Sequence, residues 1–134
     1  MSGEQSRDPW RWLAYAADDL RAARHVDLLN RHRCFLAQQA AEKAIKAALV
    51  ASEVEFPWLH NLNALRELLP ANWSHLRALG PLGELTVWAA VSRYPMELGD
   101  PTDSQTSAAV AQAERAVDAA RADLSAHGID AGDE

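Results

Sequence analysis

The feature that most constrains the fold is an alanine-rich stretch from Cys34 to Ala47, whose apolar side chains are mostly single methyl groups. These residues recur at spacings of three and four, which places them on one face of a helix: Ala37, Ala41, Ala44, Ile45 and Ala48. Methyl side chains let the backbone of a neighbouring helix come close. The polar residues of the stretch are expected to cover the remaining surface, with Lys43 and Lys46 in solvent. The pattern therefore predicts a helix that packs closely against other helices along its alanine face, the methyl seam.

The rest of the chain also predicts helices joined by short connections. Asp8 followed by Pro9 is typical of an N-cap and first helical position, and Gly128 is a natural C-terminal stop. Gly80-Pro81 is expected to break or kink one apolar run. Apolar spacing and these signals predict helices at about 9–29, 33–52, 61–69, 76–92 and 103–127. The predicted fold is all-α, an antiparallel up-and-down bundle of four main helices plus a short extra helix.

Length, charge and cysteine content narrow the class of protein. The 134 residues suffice for one domain, expected at 9–128 between a flexible segment at 1–8 and a disordered acidic tail at 129–134. A net charge of −6 argues against a protein that coats nucleic acid, although a local basic patch stays compatible with it. One cysteine, Cys34, excludes an internal disulfide framework and is expected to be a small core residue.

Neither a membrane association nor a metal site is expected. The sequence has no apolar run near the length that crosses a bilayer and no apolar signal-peptide core, so a cytoplasmic location is expected. The five histidines include no pair at metal-ligand spacing on one helix with an accompanying acid, so neither a metal nor a cofactor is predicted.

Three segments, in chain order, resemble one known family. Cys34-Phe-x-Ala-Gln-Gln-Ala-Ala-Glu-Lys-Ala-x-Lys-Ala47 closely resembles the second helix of HEPN domains, whose acronym refers to higher eukaryotes and prokaryotes, nucleotide-binding. His60-Asn-Leu62 resembles a helix-opening His-x-Leu segment of that family. Ser92-Arg93-Tyr94-Pro95 resembles the Arg-Tyr-Pro that closes a later core helix in one branch of it. The resemblance covers roughly residues 9 to 127.

The resemblance implies a compact helical bundle that often forms a homodimer. Many such proteins are encoded beside a minimal nucleotidyltransferase, as toxin and antitoxin. Ribonuclease members carry an arginine, four to six residues, and then a histidine, near the start of the last core helix. Two such motifs meet across a dimer and act without metal, with histidine handling protons and arginine stabilising phosphate charge.

This chain departs from the ribonuclease pattern, which leaves open whether it is an enzyme and favours a protein that is not one. Arg93 is followed by Tyr-Pro-Met-Glu-Leu-Gly, with no histidine before His127. Arg121 and His127 have the required count between them and are the remaining candidates for catalysis. Basic residues are also favoured at the end of a helix by its dipole, which explains this pair without a catalytic role.

The candidate binding residues fall into two groups. A nucleotide or a partner protein is expected to contact Arg93, Tyr94, His60, Gln38 and Lys43, with the guanidinium on phosphate and the tyrosine ring on a base. A basic patch at the end of the first helix is a candidate contact for phosphate, RNA or an acidic partner: Arg21, Arg24, Arg31 and Arg33. Both groups also have structural explanations, as helix-end residues and as residues of a tight bundle.

Three functions fit these observations. The first is a HEPN-type binding module, dimeric, paired with a minimal nucleotidyltransferase and able to bind a nucleotide. The second is a metal-independent endoribonuclease toxin that uses Arg93, His60 or the Arg121–His127 pair. The third is a structural adaptor whose alanine-rich face docks a helix of another molecule.

Overall fold

The computed structural model describes residues 4–57, 59–91, 94, 95, 97 and 99–129. Within these residues the chain is all-α and has no strand, which confirms the predicted fold class. The helices are α1 (Pro9–Ala23), α2 (Asn30–Ala51), α3 (Leu62–Glu67), α4 (Ser74–Arg77), α5 (Gly83–Val91) and α6 (Asp103–Ala126). In this part of the chain no helix combines the length and the apolarity that a membrane crossing needs.

Helix α1 begins as predicted but ends six residues early. The Asp8 side chain accepts a hydrogen bond from the Trp10 amide, and Pro9 occupies the first turn. The predicted end near Leu29 was wrong, because every side chain from 24 to 29 is exposed and gives a longer helix no apolar face to bury. The Arg33 guanidinium instead caps α1 by donating to the Ala23 carbonyl.

Helix α2 is the centre of the bundle and packs against α1, α5 and α6. It starts at Asn30. Residues 30–32, which were predicted to separate the first two helices, therefore form its first turn. The Asn30 amide donates to the Pro101 carbonyl and to Asp103, which ties this turn to the start of α6. The methyl seam is fully buried, as predicted: Ala37, Ala41, Ala44, Ile45 and Ala48.

Burial of the seam inside one molecule corrects two expectations. The alanine face contacts helices of the same chain, so it is not available for docking a second molecule, as the adaptor hypothesis required. The polar side of α2 is not a solvated surface either: Gln38, Glu42 and Lys46 are buried. The reason is that α2 is covered from more than one side, so no full polar face is left for water.

The middle of the chain folds as three short helices. The predicted apolar run is broken at Gly80-Pro81 into α4 and α5, as these residues indicated. One apolar residue of α4 and three of the following segment point into the core: Leu76, Leu82, Leu85 and Trp88. These helices pack on α2 and α6 and close one side of the bundle.

Helix α6 starts at Asp103, as predicted, and has a complete capping box. Thr102 accepts from the Gln105 amide, and the Gln105 side chain accepts from the Thr102 amide. The helix ends at Ala126, and Gly128 then takes a positive φ of 69° that favours glycine. Five apolar residues line one face of α6. Val110 is partly buried, and the other four are buried: Ala113, Val117, Ala120 and Leu124.

Both ends of the bundle fold back on α1. The Trp12 indole donates to the Ser6 carbonyl at 2.7 Å, which holds the segment before α1 against that helix. The Trp10 indole donates to the Ile129 carbonyl at 3.0 Å, and Ile129 packs on the core. Residues 1–3 and 130–134 lie outside the described residues.

Candidate functional site

A buried polar cluster crosses the alanine-rich helix, and we call it the Glu42 cluster: Gln38, Glu42, Lys46 and His60. Glu42 accepts three hydrogen bonds, from Lys46 Nζ at 2.9 Å, from Gln38 Nε2 at 2.9 Å and from His60 Nδ1 at 3.0 Å. Gln38, Glu42 and Lys46 stand one turn apart along α2, whereas His60 enters from the loop before α3. Only 5% of Glu42 and 4% of Lys46 is exposed.

Glu42 is ionised within this cluster. Burial by itself would raise the pKa of its carboxyl group, but the hydrogen bonds from Lys46, His60 and Gln38 outweigh burial and lower that pKa. The ammonium of Lys46 also lies over the Phe56 ring, 5.2 Å from its centroid. The buried charges therefore form a paired and hydrogen-bonded set, which is the condition under which such groups are tolerated in a core.

His60 is the part of the cluster that reaches the surface. Its side chain is 51% exposed, and a carboxylate can only accept, so Nδ1 carries the proton of the bond to Glu42. In the neutral ring the other nitrogen, Nε2, is then a proton acceptor. Glu42 thus orients a surface imidazole, while Gln38 is fully buried and does not reach a ligand outside the bundle.

A groove lies beside this cluster, where the segment before α1 crosses α1 and the middle of α2. Its volume is about 700 Å³, and we call it the Tyr15 groove, lined by Glu4, Gln5, Ser6, Arg11, Trp12, Tyr15 and Lys43. The Tyr15 side chain is 52% exposed. Two cations lie over its ring, with Arg11 Cζ and Lys43 Nζ each 5.9 Å from the centroid.

The family model of the HEPN domain matches residues 10–123, which is most of the chain. The chain belongs to the HEPN domain family. No curated protein and no solved structure matches it.

The arginine and histidine with HEPN ribonuclease spacing each have a separate structural role in this HEPN domain. Arg121 forms a surface ion pair with Asp118 one turn earlier on α6. His127 stacks on the Trp73 ring at 4.0 Å with an interplanar angle of 8°, and its Nε2 bonds to the Asn72 carbonyl at 3.0 Å. These contacts direct the two side chains to different neighbours.

The Arg-Tyr-Pro segment of the HEPN resemblance is only partly described. Arg93 lies outside the described residues. Tyr94 follows α5 and is 67% exposed, so its ring is open to a ligand or a partner.

Lys43, predicted as a binding residue and as solvated, is half-buried in the Tyr15 groove and forms a 2.6 Å ion pair with Asp19.

The predicted basic patch of the HEPN domain is largely neutralised by partners within the chain. Three of its arginines form ion pairs, with Asp18, Glu114 and Asp100 respectively, and the fourth caps α1: Arg21, Arg24, Arg31 and Arg33. The same corner exposes apolar side chains at Val26 and Leu29. It is therefore a mixed surface and less basic than the sequence indicated.

Sequence reasoning missed three residues of this HEPN domain that the structure places in the sites. Arg11 and Tyr15 are four apart on α1, a spacing that brings side chains together and could have indicated a shared face. Glu42 was counted as a surface residue, although the spacing of Gln38, Glu42 and Lys46 indicated one continuous row.

Metal binding gains no support, since no group of three His, Cys, Asp or Glu side chains converges in the described ranges.

Proposed function

We propose that this HEPN domain is a non-catalytic binding module. It forms a homodimer, associates with a minimal nucleotidyltransferase in a toxin–antitoxin-like pair, and binds a nucleotide. The observation that supports this proposal is the engagement of Arg121 and His127 in separate contacts, with Asp118 and with Trp73 and Asn72. What remains intact is the helical scaffold.

The cost of rearranging these contacts argues against a hidden ribonuclease pair. To face a substrate, His127 would have to leave both a stacked ring and a hydrogen bond at the end of α6. Aromatic stacking contributes about 0.5–1.5 kcal/mol beyond area burial, and the hydrogen bond adds to it. A binding module needs no such change.

Co-expression tests the proposal. The full chain and a nucleotidyltransferase-like protein encoded next to it are purified through a tag on one of them, and the complex is weighed by light scattering. We expect co-purification at a fixed ratio and a dimeric mass for the chain alone. The absence of any complex, together with a monomeric mass, would overturn the proposal.

One observation favours a second function, a metal-independent endoribonuclease centred on His60. Glu42 fixes the ring so that Nε2 is a proton acceptor at the surface, which suits a general base for the ribose 2′-hydroxyl. His75 provides a matched control, because its Nδ1 also bonds a buried carboxylate, Asp123, at 2.8 Å while the ring stays exposed.

The second function has a direct assay. The purified chain is incubated with RNA in the presence of a chelator, and cleavage is compared for His60→Ala, Glu42→Gln and His75→Ala. Loss of cleavage in the first two variants and its retention in the third would support the ribonuclease. Cleavage that all three variants retain, or no cleavage by the unmodified chain, would exclude His60 as the base.

A further inference from the structure

We infer that the Tyr15 groove is the nucleotide site of this protein, with the phosphate on Arg11 and Lys43 and the base against Tyr15. The inference rests on the proposed function. It adds the location of the nucleotide site and the groups that bind the phosphate and the base. It also moves the nucleotide away from the Arg-Tyr-Pro segment, where the sequence alone put it.

Tyr15 presents a half-exposed aromatic ring with two cations over it. Tyr15 is 52% exposed, and Arg11 and Lys43 each approach its ring to 5.9 Å. A flat ring at the surface is a stacking platform for a base, since every base has a π-face. Guanidinium and ammonium groups beside it are the usual ligands of phosphate.

Arg11 brings a positive charge to this groove, which Lys43 and the acidic Glu4 also line, in a protein of net charge −6. Within the described part of the chain, Arg11 has no carboxylate partner, whereas the arginines of the basic patch are paired or cap a helix. Lys43 shares its charge with Asp19. One free guanidinium and one shared ammonium together suit a single phosphate group.

Contacts within the chain hold one wall residue of the groove, Trp12, in place. Trp12 is held by its bond to the Ser6 carbonyl and by an edge contact with Phe56, whose centroid lies 6.4 Å away. Residues 4–6 also line the groove. A volume of about 700 Å³ falls in the usual range for small-molecule sites, about 300–1,000 Å³.

The combination of groups selects the class of ligand. An aliphatic acid would leave Tyr15 unused, and an uncharged aromatic compound would leave Arg11 unused. Gln5 adds a hydrogen-bond donor and an acceptor, which suit the carbonyl and amino edges of a base. The ligand that uses all of them is a nucleoside phosphate, either as a free mononucleotide or as the 5′ end of an RNA.

Calorimetry with defined probes tests the inference. The full chain is titrated with the four nucleoside 5′-monophosphates, with the matching nucleosides, with inorganic phosphate, and with a short RNA bearing either a 5′-phosphate or a 5′-hydroxyl. We expect a monophosphate to bind more tightly than its nucleoside and than phosphate. Preference for the 5′-phosphorylated RNA over the free nucleotides would identify an RNA end as the source.

Matched variants locate the site. Arg11→Ala and Tyr15→Ala are each expected to weaken monophosphate binding about tenfold, the usual effect of losing one charge-assisted contact or one stacked base. Tyr15→Phe keeps the ring and is expected to bind more tightly than Tyr15→Ala. Arg21→Ala, on the same helix but outside the groove, and Tyr94→Ala, at the rival site, should bind normally. Thermal unfolding of each variant verifies that it is folded.

Two results would overturn the inference. The second would also remove nucleotide binding from the proposed function, and neither decides the pairing with a nucleotidyltransferase. One is unchanged binding in Arg11→Ala and Tyr15→Ala, with loss in Tyr94→Ala; the nucleotide then lies beside the Arg-Tyr-Pro segment. The other is no binding of any probe by the unmodified chain. Association with the nucleotidyltransferase is measured separately, so the proposed pairing stands or fails on that result.

Discussion

At the scale of single residues, Glu42 shows how a charge is accommodated in an alanine-rich core. Its carboxylate accepts three hydrogen bonds, and Lys46 supplies an opposite charge at 2.9 Å. Removing one member of a buried pair leaves the other uncompensated, which costs about 3–5 kcal/mol. Glu42 is therefore important for stability whether or not His60 has a catalytic role.

The pH dependence of stability follows from the lowered pKa of Glu42. Its ordinary value is 4.5, and its pKa in the folded protein is lower, so the unfolded chain binds the proton more readily between the two values. The stabilisation is complete above the unfolded pKa and is lost as the pH falls from 4.5 through the folded pKa.

Urea unfolding across this acid range checks the prediction. We expect the free energy of unfolding to fall more steeply with acidification for the unmodified chain than for Glu42→Gln, which has no proton to bind. Glu55→Gln, at an exposed position, should keep the steep fall. Parallel curves for the unmodified chain and Glu42→Gln would contradict the assignment.

Trp88 gives a second prediction at the residue scale. It is buried, and its indole N–H has no hydrogen-bond partner in the described part of the chain. An unsatisfied buried donor costs about 1–3 kcal/mol. Trp88→Phe removes the donor and loses some contact area, so we expect a change in unfolding free energy below about 1 kcal/mol. Trp88→Ala should cost about 3–5 kcal/mol.

Chemical denaturation of both Trp88 variants decides this. If Trp88→Phe costs more than about 2 kcal/mol while remaining folded, the indole N–H contributes a favourable contact and the prediction is wrong.

At the scale of elements, α2 is stabilised by close helix packing, which its small buried side chains allow. Ala41 is fully buried where α2 meets its neighbouring helices, and the methyl group leaves little free space. Ala41→Leu forces the helices apart, and we expect a loss of at least about 1–3 kcal/mol. Ala14→Leu, on the exposed face of α1, is the control and should be close to neutral. Equal melting temperatures for the two variants would show that the seam tolerates larger side chains.

At the scale of the whole molecule, contacts between distant segments close the bundle. Asp123 of α6 is buried and accepts hydrogen bonds from the amides of His75 and Leu76, at 3.1 and 2.9 Å, at the start of α4. The hydrogen bond from the Trp10 indole to the Ile129 carbonyl joins the start of α1 to the segment that follows α6. α4 has only four residues, so its stability depends on these contacts more than on its own helix propensity.

Asp123→Ala therefore should open α4 locally. The buried Leu76 amide loses its acceptor, at a cost of about 1–3 kcal/mol, and the partly buried His75 amide loses its acceptor as well. Hydrogen exchange at Leu76 should therefore accelerate by about tenfold or more. Asp118→Ala, at an exposed site of the same helix, should leave that exchange unchanged. Unchanged exchange in Asp123→Ala would show that α4 is held by its apolar contacts alone.

The sequence by itself determined the features that depend on neighbours along the chain. Alanine spacing gave the seam of α2, Asp8 and Pro9 gave the start of α1, and Gly128 gave the end of α6, because backbone geometry and local hydrogen bonds decide these features. The family resemblance followed from the same local motifs.

Only the tertiary structure decided which polar residues face water. Lys43 and Lys46 lie three positions apart on one helix, yet one lines a groove and the other is buried with Glu42. The difference depends on the segment before α1 and on His60, which reach α2 from elsewhere in the sequence. Periodicity places a side chain on a helix face, but burial depends on what packs against that face, and local sequence carries no record of those distant partners.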